Sequence, residues 1–397
     1  MAAAATKRAA RPSGVTIGIV AGEASGDALA ATLIRAVKER VPDARFVGVA
    51  GPRMEDAGCE AWYPLETLSV RGFVEVLSRL PQLVMLRRAL YRRLRAERVP
   101  LFIGVDAPYF NLGLERKLKR AGVRSVHFVS PSVWAWRRER LRTIGRSVHR
   151  VLALFPFEPP LYESAGIPVT FVGHPLAAEA AALGSRREAR EQLKLGAAQP
   201  VFALLPGSRA SELDNHAELV LRAADALLAS RPDAQFLVPL ATRPTRDRFE
   251  AAIYRLGLEK LPLKILYGHA TDALRAADVA LVASGTATLQ AALARCPHII
   301  FYRIHRLTEQ IVRARMLLPY VGLPNILAGR FVVPELLQDD ATPENLALAA
   351  ANLYDDTVTR RRLEALFAGF AASLAADTGR ISADAVAAEL RAAGVAC

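Results

Sequence analysis

Short apolar runs of five or six residues recur along the chain, most of them closed by a small or polar residue. Thr16 to Ala21, Phe46 to Ala50, Leu101 to Val105, Ser125 to Val129 and Val151 to Phe155 read as strands. Val201 to Leu205, Gln235 to Pro239, Leu263 to Leu266, Val279 to Val282 and His298 to Tyr302 repeat the scheme in the second half. Near-continuous apolar strands, rather than alternating ones, belong to parallel sheets covered on both faces. The connections between them read as helices, one from about Asp27 to Arg40 with Asp27 as its N-cap, another following Asn111. This alternation predicts an α/β chain of two doubly wound parallel-sheet, Rossmann-like domains, with a ligand cleft between them at the carboxyl ends of the strands.

The same pattern sets the expected boundaries. Residues 1–14 are small and basic and are expected to be disordered. Residues 15–178 form the first domain, ending after Gly173-His174-Pro175-Leu176, and a charged linker or helix runs on to about Gln199. Residues 179–344 form the second domain. Residues 345–397 read as helices, with Thr342 as N-cap and Glu344 in the first turn. This last segment is expected to return to the first domain or to reach a dimer partner.

Composition narrows the picture. The chain has 397 residues, 52% of them hydrophobic, enough for two substantial cores. Cys59, Cys296 and Cys397 are too few and too scattered for a disulfide framework or a zinc site, so a reducing, cytoplasmic setting is expected. Val15 to Ala21 is too short for a signal-peptide core. The longest transmembrane candidate, Ala276 to Ala294, is interrupted by Asp278, Ser284, Gly285 and Gln290. The formal charge is +13 and it is concentrated. Residues 71–98 hold eight arginines against two glutamates, and residues 134–150 hold six against one. Such windows suit an anionic partner (phospholipid, nucleic acid or a phosphorylated substrate) or are simply a solvated face. No recognition-helix, RNP or zinc motif supports nucleic acid.

Candidate chemistry falls at strand ends. Gly22-Glu23-Ala24-Ser25-Gly26-Asp27 follows the first strand, where glycines permit a tight turn and a helix N-terminus offers N–H donors. Asp106 ends a buried strand and suits a general base toward a sugar hydroxyl, or else caps the next turn. Gly207-Ser208-Arg209 places a planar, permanently charged donor above a helix start, suited to a diphosphate or simply exposed in a turn. Ser284-Gly285-Thr286-Ala287 opens a helix and suits phosphate, with Gln290 one turn on toward a ribose; the alternative is an ordinary capped helix. Ser130 to Arg137, including Trp134 and Trp136, offers aromatics for stacking, for covering an acyl chain or for packing. No Asp-x-Asp occurs, so no metal is indicated and Arg209 with helix N-termini would stabilise the leaving group. Phe73, Val76, Leu77 and Leu80 form one helical stripe and Leu83, Leu86, Leu90 and Leu94 another, separated by Pro81 and flanked by arginines including Arg87 and Arg88. That is an amphipathic basic element able to dock on an anionic interface, or a surface helix with its stripe on the core.

Taken in order, these motifs resemble the lipid-A-disaccharide synthase family over nearly the whole chain. The resemblance adds Phe46 to Met54, Gly58 to Trp62 and Leu323-Pro324-Asn325-Ile326-Leu327-Ala328-Gly329-Arg330 to the segments above. It implies a GT-B fold and a metal-independent, inverting transferase. Such enzymes join UDP-2,3-diacylglucosamine to 2,3-diacylglucosamine 1-phosphate (lipid X) at the inner face of the cytoplasmic membrane, releasing UDP. It implies activity roles for Asp106 and Arg209 and active-site segments at Glu23, Asn325 and Ser284 to Ala287. Gly22, Ser25, Gly26, Asp27, Asn111, Trp134 and His174 complete the acceptor side. A C-terminally swapped dimer is known in the family, which makes a homodimer an expected partner. The chain departs from the family's usual pattern at Gln290, where Glu is usual, and at Tyr109, where an acidic or small residue is frequent. A peptidoglycan-type transferase or a UDP-N-acetylglucosamine 2-epimerase is the nearest alternative.

Overall fold

The computed structural model describes residues 14–68, 73–134, 139–304, 309–310 and 316–396, with side chains except those of 73–79 and 181. Two compact units emerge, Met1–Pro175 with Ala376–Cys397, and Leu176–Ala375.

The first unit is built on seven parallel strands: β1 (Thr16–Ala21), β2 (Arg45–Ala50), β3 (Cys59–Pro64), β4 (Leu101–Val105), β5 (Arg124–Phe128), β6 (Arg150–Ala153) and β7 (Val169–Phe171). Their order is β3-β2-β1-β4-β5-β6-β7. β1, β2 and β4 to β6 are the apolar runs read from sequence. β3 and β7 are edge strands with half-exposed positions, and so lack the continuous apolar signal. One face packs on the helices Ala24–Arg40 and Thr378–Ala392 through Leu33, Ile34, Val386 and Leu390. The other packs on Leu90 and Leu94 of helix Phe73–Ala96 and Leu114 and Leu118 of helix Pro108–Arg120.

The second unit holds six parallel strands: β8 (Val201–Leu205), β9 (Gln235–Leu240), β10 (Leu263–Tyr267), β11 (Val279–Ala283), β12 (His298–Tyr302) and β13 (Glu335–Leu337), ordered β10-β9-β8-β11-β12-β13. Its main core joins Phe202, Phe236, Val279 and Phe301 to Val220 of helix Ala210–Ser230 and to Phe367 of helix Thr357–Leu374.

Three expectations need correction. The first helix begins at Ala24 rather than Asp27, and Asp27 lies inside it. Pro81, read as separating the two stripes, lies within a single helix, Phe73–Ala96. Of the segment after residue 344, expected to return to the first domain or to a partner, the last helix alone returns. Helices Pro343–Asp355 and Thr357–Leu374 belong to the second unit, while Thr378–Ala392 belongs to the first. Buried Glu389 explains the return, since its carboxylate is bracketed by Arg124 of β5 and by Arg150 of β6, whose Nε donates to it at 2.9 Å. The expected disorder of residues 1–14 falls almost wholly outside the described residues.

Candidate functional site

In the second unit a pocket of about 370 Å³ opens at the carboxyl ends of β8, β9, β11 and β12. Gly207, Ser208, Arg209, Ser284, Gly285, Thr286, Ala287 and Gln290 all line it. Gly207 has φ +127, and a Cβ there would lie 2.5 Å from the Glu212 Cβ, so the turn requires glycine twice over. Arg209 precedes helix Ala210–Ser230, and its side chain is 55% exposed. Ser208 and Arg209 donate their backbone N–H groups to Glu212 Oε2 at 2.8 and 3.1 Å. Arg209 Nη1 lies 3.6 Å from Glu212 Oε1, which also accepts from the Tyr302 hydroxyl at 3.4 Å. Burial, then the Glu212 charge, pushes the Tyr302 phenol up, so it stays a donor. Beneath the turn, buried His216 meets the Pro206 carbonyl through Nδ1 at 2.9 Å and accepts from the Arg303 N–H at Nε2.

Across the pocket Gly285, at φ +148, precedes helix Thr286–Leu293, and Thr288 Oγ1 donates to the Gly285 carbonyl at 2.8 Å. Gln290 donates through Nε2 to Thr271 Oγ1 at 3.1 Å. A helix N-terminus and a guanidinium thus share one pocket, an arrangement suited to an anionic group.

The first unit assembles the other candidate cluster. Asp106 and Ala107 follow β4 with φ 52 and 44, left-handed backbone that non-glycine residues adopt at a cost. Three contacts hold it. Asp106 N–H donates to the Phe128 carbonyl at 2.8 Å, and Asn111 Nδ2 donates to the Asp106 carbonyl at 2.8 Å. Gly22 approaches so closely that a Cβ there would lie 2.3 Å from the Ala107 Cβ. The Gly22–Asp27 turn and the Asp106 turn are therefore neighbours, and Gly22 is needed for that approach.

Behind Asp106, Glu115 of helix Pro108–Arg120 and His127 of β5 meet at 2.7 Å between Oε1 and Nδ1, both fully buried. Burial pulls His127 down, but the Glu115 carboxylate, and then Asp106, push it up more strongly, so His127 sits above its ordinary range.

Several expected site residues have other duties. Asp27 Oδ1 accepts from the Gly51 and Met54 N–H groups and Oδ2 from Arg53, each at 3.1 Å, so its carboxylate caps helix Pro52–Asp56. Asn111 is buried under Asp106 rather than lining an open cleft. Asn325 is outside the pocket lining. Its amide bridges the backbone at Val332 and Val333 and the Glu335 carboxylate, fixing the segment before β13. Trp134 donates to Glu158 Oε1 at 3.1 Å and meets Phe157 edge-on. Glu158 is held by Phe155 N–H, and burial pushes it up to about 7. Buried His174 lies near Phe155, and burial pulls it down to about 4. Trp136 lies outside the described residues. Glu23 and Ser25 are exposed at the turn after β1, and Gly26 packs against Val105.

The membrane candidates divide similarly. The side chains of Phe73, Val76 and Leu77 lie outside the described residues. Leu80 and Arg88 are exposed, whereas Leu90 and Leu94 are fully buried in the core. Burying a leucine is worth roughly 1.5–3 kcal/mol, which commits the second stripe to the fold. Arg87 also turns inward: it donates to the Tyr109 carbonyl at 2.9 Å and covers the Phe110 ring. Among the described residues no helix is long and apolar enough to cross a membrane.

Glu115, His127, Glu212, Tyr302 and Glu158 were not singled out from sequence. A histidine inside the apolar run Ser125 to Val129 was the one available signal.

Comparison with known proteins agrees with this architecture. The fold matches a solved glycosyltransferase of kitacinnamycin (17% identity, TM-score 0.60, covering 95% of this chain and 100% of that one). It also matches a UDP-N-acetylglucosamine 2-epimerase from Neisseria meningitidis bound to UDP-N-acetylglucosamine (11% identity, TM-score 0.59, 95% and 99% covered). The molecule is an α/β protein of the GT-B glycosyltransferase fold, with two parallel-sheet units. At the level of sequence, residues 17–383 match the family described as lipid-A-disaccharide synthetase. A lipid-A-disaccharide synthase from Chromobacterium violaceum is 52% identical over 95% of this chain and 97% of its own length. The chain belongs to the lipid-A-disaccharide synthase family, glycosyltransferases of lipid A biosynthesis.

Proposed function

We propose that the chain transfers 2,3-diacylglucosamine from UDP-2,3-diacylglucosamine to the 6-hydroxyl of 2,3-diacylglucosamine 1-phosphate. The products are the β-1′,6-linked disaccharide 1-phosphate and UDP. The observation behind this reading is the pocket of the second unit, where Gly207 to Arg209, Ser284 to Ala287 and Gln290 converge. Arg209 and the helix N-terminus after Gly285 hold the diphosphate, and Gln290 faces the ribose. Asp106 accepts the proton of the acceptor hydroxyl. The hydroxyl oxygen attacks the anomeric carbon from the face opposite the diphosphate. The carbon–oxygen bond to the diphosphate breaks, UDP leaves with the electron pair, and the configuration inverts. No metal is required, because the charge developing on UDP is met by Arg209 and backbone N–H groups.

Both substrates are acylated, and each methylene kept out of water is worth about 0.8 kcal/mol, so the enzyme works docked on an anionic cytoplasmic membrane surface. The arginine-rich helix Phe73–Ala96, with Leu80 and Arg88 exposed, is the docking element.

Purified protein is incubated with both lipid substrates in mixed micelles, with and without EDTA, and the product is followed by mass. Disaccharide 1-phosphate formed equally in EDTA is expected, with Asp106→Asn lowering turnover roughly 10²-fold or more. Turnover of UDP-N-acetylglucosamine with no disaccharide would assign the chain to another UDP-sugar reaction.

A further inference from the structure

A carboxylate and an imidazole, both fully buried, sit between β4, β5 and helix Pro108–Arg120. A pair of this kind costs desolvation that apolar side chains of the same volume avoid, so it needs a reason to be there. The backbone makes room for it. Gly104 of β4 lies opposite His127 in the strand register, and a Cβ on Gly104 would lie 2.2 Å from Glu115 Oε1 and 2.9 Å from the Asn111 Cβ. The Gly104 backbone is not in the left-handed region, so this glycine answers a need for space rather than for conformation. Glu115 Oε2 and His127 Nε2 have no hydrogen-bond partner among the described residues. Two contacts join the pair's surroundings to Asp106, two residues beyond Gly104: its N–H donates to the carbonyl of Phe128, the residue after His127, and its carbonyl accepts from Asn111 on the helix of Glu115, each at 2.8 Å. From the Phe73–Ala96 helix, Arg87 reaches the same helix as Glu115 near Gly113, within 3.0 Å of where a Cβ would stand.

We propose that Glu115 and His127 are a positioning pair for Asp106: the Glu115 carboxyl group orients the imidazole, and the pair ties β5, whose Phe128 carbonyl takes the Asp106 N–H, to the preceding helix Pro108–Arg120, whose Asn111 holds the Asp106 carbonyl. This rests on the reading of Asp106 as the base. Neither member touches substrate. The logic is that of a base whose position is fixed from behind, so that the geometry is in place before the reaction begins.

The test is a set of variants in the full chain, with kcat and donor KM measured separately and folding checked by circular dichroism and UDP affinity. Asp106→Asn comes first; turnover near that of the parent would end the base reading itself, independently of the pair. With Asp106 established, Glu115→Gln and His127→Gln are each expected to lower kcat about 10-fold or more while donor KM moves less than about two-fold. In the Asp106→Asn background the same substitutions are expected to change kcat less than about two-fold, since the group they act through is gone. Should a single variant fail to fold, the joint Glu115→Leu/His127→Leu replacement removes both titratable groups together and keeps the volume apolar. Folded with kcat still about 10-fold down, it supports the pair's role. A folded variant with parental kcat, or a full effect that persists without the Asp106 carboxylate, would overturn the proposal.

Discussion

Asn111 Nδ2 donates to the carbonyl oxygen of Asp106 at 2.8 Å and lies 3.3 Å from the carbonyls of both Val20 and Val105. One side chain inside a helix thus ties together β1, β4 and the strained turn that presents the candidate base. Left-handed backbone at two successive non-glycine residues persists only where the surroundings over-determine it. Asn111→Ala is expected to let the turn relax, lowering kcat about 10-fold or more while UDP affinity, assigned by the proposal to the other unit, stays within about two-fold. Thermal unfolding should show a loss of about 1–3 kcal/mol, the cost of leaving buried carbonyls unpaired. Parental kcat in a folded Asn111→Ala protein would show that the Asp106 turn holds its shape unaided.

In the pocket of the second unit Glu212 holds the turn from within: its Oε2 takes the N–H groups of Ser208 and Arg209, and its Oε1 lies 3.6 Å from the Arg209 guanidinium. The carboxylate fixes the turn and, with Arg209 proposed to hold the diphosphate, would compete with it for that guanidinium. Arg209→Ala is expected to weaken UDP binding by about 1.5–3 kcal/mol, the worth of a charge-assisted contact. Glu212→Gln keeps the shape and one acceptor oxygen but removes the negative charge, so UDP should bind more tightly and with a stronger dependence on salt. Calorimetric titration of UDP at two ionic strengths reads both. Weaker UDP binding by Glu212→Gln would mean that the turn's geometry, not its charge balance, limits the site.

Asp27 was read from sequence as a helix cap or a ligand contact, and it caps a different helix, Pro52–Asp56, through three N–H groups. Gly51 completes the fit, since a Cβ there would lie 2.7 Å from the Asp27 carboxyl carbon. Asp27→Ala is expected to destabilise the first unit by about 2 kcal/mol, the upper end of a lost cap. UDP affinity should not change. A denaturation midpoint equal to that of the parent would remove the capping role.

What the sequence disclosed and what it hid follow from the range of the interactions. The buried strands were legible because a sheet covered on both faces needs continuous apolar runs, as Val201–Leu205 and Val279–Ala283 provide. The glycine turns were legible because φ near +127 at Gly207 excludes other side chains at little cost. Glu115 meeting His127, Asp27 reaching Gly51 and Glu389 bracketed by Arg124 and Arg150 are pairings across many residues that no local pattern encodes. Arg87 shows the same limit. In the sequence it belongs to a basic helix face, and only the fold reveals that it turns toward Tyr109.

The stability of the chain should fall on acidification before most carboxylates titrate, and His298 is a principal cause. His298 lies wholly inside the second unit, its Nδ1 2.8 Å from the Cys296 carbonyl and its ring stacked 5.5 Å from that of Phe367. Burial pulls it down to about 4, from an ordinary 6.5. The unfolded chain therefore binds a proton that the folded chain refuses over this interval. The stabilisation is complete above pH 6.5 and is lost as pH falls through about 4, by ~3 kcal/mol in all. His174, also pulled down to about 4 by burial, adds a slope of the same sign. Glu158 opposes them. Burial pushes it up to about 7, so its contribution is complete below the ordinary carboxylate range and is lost as pH rises toward 7. Burial likewise pulls His149 down to about 4 and lowers His216, and it pushes Glu115 up as it does Glu158; with four imidazoles against two carboxyls, urea-derived stability should rise between pH 5 and 6.5, and Glu158→Gln should steepen that rise. His298→Gln should flatten it, because the replaced group no longer titrates. An unchanged pH slope in a folded His298→Gln protein would show that this imidazole takes up its proton without opening the core.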